Sequence, residues 1–148
     1  MKRIGVNLVL VGFMTVLFAT TVLAHCEVPC GIYDDQARID MLLEHATTIE
    51  KSMNQIMEIE KAGHGHSNQL VRWIMNKEKH ATLLQGIVTQ YFMTQRIKAG
   101  ADHYDAKLKA LHGMLVQAMK CKQTVDLAHV AKLRALVVEF AGLYFVKK

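Results

Sequence analysis

The chain has 148 residues, with 18 Lys and Arg against 13 Asp and Glu for a formal charge of +5. That length suits one domain of ordinary size with a modest core. Mild positive charge aids solubility and can draw in a small anion, but no basic run is long enough to argue for nucleic acid.

Residues 1–24 open on Lys2 and Arg3, stay apolar from about Ile4 to Phe18, and end Thr21-Val22-Leu23-Ala24. A basic start, a short apolar core and a small-residue exit describe a secretory signal cleaved after Ala24. The competing reading is an uncleaved anchor, since this stretch is just long enough to span a bilayer. Cleavage would leave residues 25–148, with a charge of +3 once Lys2 and Arg3 are removed, exported to the periplasm or the cell exterior. No membrane association would remain after cleavage.

Next comes His25-Cys26-Glu27-Val28-Pro29-Cys30-Gly31-Ile32-Tyr33. Asp34 and Asp35 then read as a helix start, acidic groups lying well at the positive end of a helix dipole. Ile39, Leu42, Leu43, Ala46, Ile49, Met53, Ile56 and Met57 recur at threes and fours and predict one amphipathic helix to about Lys61. Gly63-His64-Gly65-His66 breaks it, and Ser67 is a candidate cap for a second helix from about Asn68 to Lys98. There Leu70, Trp73, Ile74, Ala81, Leu84, Ile87, Val88, Tyr91 and Phe92 mark the inward side. A third helix, about His103 to Lys120, would bury Tyr104, Leu108, Leu111, Leu115 and Met119. Thr124 would cap a fourth carrying Val130, Leu133, Leu136, Val137, Phe140 and Tyr144. Pro29 is the only proline, so none interrupts these helices. No stretch alternates with period two. The expected fold is an all-α, antiparallel four-helix bundle over residues 34–148, preceded by a hook at 25–33 and the leader at 1–24.

The chemistry concentrates at the predicted new terminus. There the α-amine of His25, the amide nitrogen and thiolate of Cys26 and the thiolate of Cys30 offer two nitrogens and two sulfurs to one metal. Pro29 and Gly31 allow a tight turn. The His25 imidazole could approach axially. Such a planar set suits Ni(II) or Cu(II), whereas Zn(II) prefers a tetrahedron. Affinity alone favours copper, but thiolates tend to reduce Cu(II), and an anionic amide with two thiolates can stabilise Ni(III).

His25-Cys26-x-x-Pro29-Cys30-Gly31-x-Tyr33 resembles the nickel hook of the nickel-containing superoxide dismutases. The resemblance implies a helical bundle assembled as a homohexamer, with one nickel ion per chain. It also implies disproportionation of superoxide to dioxygen and hydrogen peroxide by Ni(II)/Ni(III) cycling. Carried over by position, it implies that His25, Cys26 and Cys30 ligate nickel and that Tyr33 stands over the open face. It further implies that Asp40 orients the His25 imidazole, with His80 and Tyr91 nearby.

Plainer readings stand beside these. Cys26 and Cys30 could form a small disulfide; His64 and His66 read as a solvated connection; Cys121 reads as a small apolar side chain, and the methionines as core filler. The competing functions are a non-catalytic nickel or copper carrier using the same donors, and a membrane-anchored helical interaction module.

Overall fold

A computed structural model of the chain describes Pro29 and residues 31–146. The leader, His25, Cys26 and Cys30 lie outside the described residues. Four α-helices follow one another: α1 Asp35–Ala62, α2 Ser67–Gly86, α3 Tyr104–Gln123 and α4 Leu127–Tyr144. A π-helical segment, Ile87–Arg96, continues α2. Among the described residues there is no strand, and no helix is long and apolar enough to cross a membrane.

The helix starts follow local chemistry, with two corrections to the expected caps. Asp34 caps α1 as expected, its carboxylate accepting from the Ala37 amide at 3.0 Å. Ser67 does not cap α2: it is already helical, and His66 before it supplies no side-chain bond. Thr124 does not cap α4 either. It ends α3, and Asp126 two residues on is the cap, accepting from Ala128 N at 2.9 Å.

Side-chain pairs fix the direction of every neighbour. Along α1, residues 35, 45 and 52 bond to residues 91, 80 and 76 in turn, so α1 and the α2–π rod run antiparallel. Lys77 with Cys121 and Gln85 with Leu115 set α3 against α2 in the same sense. Gln117 with His129 and Lys107 with Tyr144 do so for α3 and α4. Asp35 with Tyr144 and Glu50 with Arg134 close α4 back onto α1. The interior is one apolar cluster, running from Ile39, Leu42 and Ile49 on α1 to Leu133, Val137 and Phe140 on α4. Phe92 and Phe140 meet edge to face inside it, with ring centroids 4.9 Å apart.

Two residues expected inward are exposed. Ile74 is on the part of α2 that extends past the α3–α4 connection, because that connection packs beside Lys77. The tip of the α1–α2 hairpin therefore has only two helices, and Val71, Ile74 and Met75 stay exposed. On α3 the buried stripe is Leu111, Met114, Ala118 and Cys121, and Met119 falls about 100° off it. Cys121 packs in the core as expected, and burial pushes its thiol up to about 11. The connection holding His64 and His66 is exposed.

Among the described residues, Lys77 is a charged residue that lies in the interior, 4% exposed. Its ammonium donates to the carbonyls of Cys121, Lys122 and Thr124, which the end of α3 leaves without helical partners. Replacing Lys77 by Met keeps much of the stem but strands those acceptors. We expect a loss of about 1–3 kcal/mol of stability, read as a lower urea midpoint with unchanged helical circular dichroism.

Candidate functional site

Asp35, in the first turn of α1, collects donors from two other elements. Arg96, the last residue of the π segment, approaches with Nε 2.8 Å from Oδ1 and Nη2 2.6 Å from Oδ2. Tyr91 donates its hydroxyl to Oδ1 at 2.7 Å, and Tyr144 at the end of α4 donates to Oδ2 at 2.9 Å. Burial acts to raise the Asp35 carboxyl, but the bonds from Arg96, Tyr91 and Tyr144 outweigh it and hold the group below the usual carboxylate range. Burial, then the bond to Asp35, push the Tyr91 phenol up to about 12.

The π segment makes this convergence possible. Tyr91 and Arg96 are five residues apart, which in an α-helix at roughly 100° per residue sets them about 140° apart around the axis. Here the turn closes over five residues. The Ile97 amide bonds to the Phe92 carbonyl, and the Thr94 and Gln95 side chains bond to the Thr89 and Gln90 carbonyls. Residues five apart thus come close to one side, and both reach one carboxylate.

The same two residues meet Tyr33. The Arg96 guanidinium carbon lies 4.3 Å from the Tyr33 ring centroid. The Tyr91 ring stands edge-on to Tyr33, centroids 5.9 Å apart. Arg38, one turn into α1, lies over the Tyr91 ring at 5.1 Å. Tyr33 itself is 38% exposed. Beside it a pocket between α1 and the α2–π rod is lined by Pro29, Arg38, His45, Gln90 and Tyr91, among others.

At this wall of α1, His45 and His80 bring their Nδ1 atoms to 3.0 Å, one ring donating and the other accepting. Burial lowers the pKa of both, helped by each other's charge at His45 and by Lys79 at His80. Both imidazoles therefore favour the neutral form.

Of the residues singled out from sequence, Tyr33 and Tyr91 come together. His80 bonds to His45, whereas Asp40 is exposed and accepts from Gln36 at 2.9 Å. His25, Cys26 and Cys30 lie outside the described residues. Among the described residues no group of three or more His, Cys, Asp or Glu converges to hold a metal. Sequence reading missed Arg96 and His45, and saw Asp35 and Tyr144 only as a helix start and a core position. His45 left one usable signal, a polar residue on the buried Leu42, Ala46, Ile49 stripe.

The family model described as nickel-containing superoxide dismutase matches residues 20–148. No curated protein and no solved structure matches the chain.

The pKa shifts predict two separate acid-sensitive windows. His45 and His80 are depressed in the folded state, so the unfolded chain takes up their protons first and stability declines as pH falls below about 6.5. Asp35 is depressed from 3.8, so its contribution is present above that value and lost as pH falls further. Urea midpoints measured from neutral to acid pH should flatten in the upper window for His80→Gln and below about pH 4 for Asp35→Asn.

Proposed function

The chain belongs to the family of nickel-containing superoxide dismutases, oxidoreductases that act on superoxide, and on that premise we propose how it holds nickel and which residues serve the reaction. Removal of residues 1–24 frees the His25 amine. That amine and the imidazole of His25, the amide nitrogen and thiolate of Cys26 and the thiolate of Cys30 would hold the metal. Two thiolates with the amine and amide nitrogens are donors that would suit Ni(II). When bound, the nickel supplies one-electron chemistry by moving between the II and III states.

The observation that carries this reading is the setting of the residues flanking Cys30. Pro29, before it, lines the pocket with Arg38, His45 and Tyr91. Gly31, after it, takes φ +79°, a backbone turn open to glycine. Tyr33 follows and packs against Tyr91 and Arg96. These neighbours support a donor set held at the Asp35 end of the bundle.

The remaining roles belong to the chain's own side chains. Tyr33 orders water and limits access to small anions. Arg38 contributes positive potential where superoxide enters. Asp40 orients the His25 imidazole, and Tyr91 backs Tyr33. The His45–His80 pair forms the neighbouring wall. The working protein is an exported homohexamer, in the periplasm or outside the cell, with one nickel per chain.

Cys26→Ser and Cys30→Ser should each abolish dismutation while the helical circular dichroism stays unchanged; full activity in either would sink the ligand assignment. Nickel binding without superoxide turnover in the unaltered protein would point instead to a carrier. One extra residue before His25 should lower activity by more than about 100-fold, since it displaces a ligand rather than an outer partner, whose loss costs roughly 10–100-fold. Tyr33→Phe removes no ligand and should retain measurable activity.

A further inference from the structure

We infer that Asp35 and Arg96 are positioning residues for Tyr33: the carboxylate locks the guanidinium over the Tyr33 ring and so sets where that phenol stands. The inference rests on the reading of Tyr33 given above. Tyr33 lies in the irregular stretch before α1, so no helical hydrogen bond fixes it. Its described contacts are with two rings or planes, Arg96 and Tyr91. Both of those end on the same carboxylate, Asp35.

A free arginine would sample many rotamers, and its hold on an exposed ring would be weak. Here the two-point bond to Asp35 fixes the plane and reach of the guanidinium, which a lysine ammonium could not reproduce. The Asp35 carboxylate is itself held by the Tyr91 and Tyr144 hydroxyls, so its rotamer is set from the π segment and from α4 together. Charge is balanced as well. Asp35 neutralises Arg96, so the clamp holds the ring without adding net charge beside it. Arg38, by contrast, lies over Tyr91 and has no described contact with the Tyr33 ring.

The test uses the full chain with 13C-labelled tyrosine. Four tyrosines give four ring signals, with Tyr33 assigned through Tyr33→Phe, and Trp73 on the α1–α2 hairpin, labelled alongside, serves as the control at the other end of the bundle. In the metal-free protein, Arg96→Gln, Arg96→Lys and Asp35→Asn should each shift and sharpen the Tyr33 signals while the Trp73 and core methyl signals stay in place. In the nickel-loaded protein the same variants should lower kcat/KM about tenfold with unchanged nickel content, since a misplacement near 1 Å can cost roughly 100-fold. Tyr33 signals unmoved in both Arg96 variants would overturn the proposal. Signals that move while these variants and Tyr33→Phe all keep full dismutation would uphold the clamp and overturn the role given to Tyr33.

Discussion

One carboxylate holds the working end of this bundle together. Asp35 stands in the first turn of α1 and is bound by a guanidinium and two phenols from residues 56 to 109 positions away. A partly buried carboxylate without partners would oppose folding. Fully partnered, it ties the start of α1 to the π segment and to the end of α4. Removing a single donor leaves the others aimed at a group whose desolvation is no longer offset. That interdependence is why Tyr33, on the irregular entry to α1, can be held in place at all.

A second partnered charge, this one buried, acts toward the opposite end. Lys77 satisfies the carbonyls where α3 stops, and so fixes the height at which the α3–α4 pair packs on α2. Between these two polar anchors the interior is largely apolar, crossed by the His45–His80 and Ser52–Asn76 bonds. The anchors supply the register that apolar packing lacks. The consequence for function is direct: Pro29 and Tyr33, the described residues of the proposed hook with contacts to the bundle, lie at the Asp35 end, where helices and a polar network surround them. The π segment adds the local widening that lets Tyr91 and Arg96 serve one acceptor, in keeping with the occurrence of such segments at functional sites.

The bundle was legible in the sequence where apolar spacing was regular. The α1 and α4 stripes, from Ile39 to Ile56 and from Val130 to Phe140, are buried as the period requires. The π segment was not legible, because ten residues with Ile87, Val88, Tyr91 and Phe92 inward read equally well as a continuing α-helix. Ile74 fits the inward pattern yet is exposed, since the pattern does not report where the neighbouring helices end. Thr124 and Asp126 are both good caps, and only packing decides between them. The proposed metal donors form a compact, readable motif at residues 25–30. Arg96 and Asp35 carry no such mark: their joint role depends on a helix turn that sequence periodicity does not reveal, across 61 positions.

A nickel site built at His25 requires that residue to be the first of the mature chain, and that start can be weighed. Intact mass and nickel content of the protein taken from its native source measure it together. The expected result is a chain of residues 25–148 with an unmodified amine and one nickel ion. A chain that starts at Met1, or a blocked His25, would contradict it.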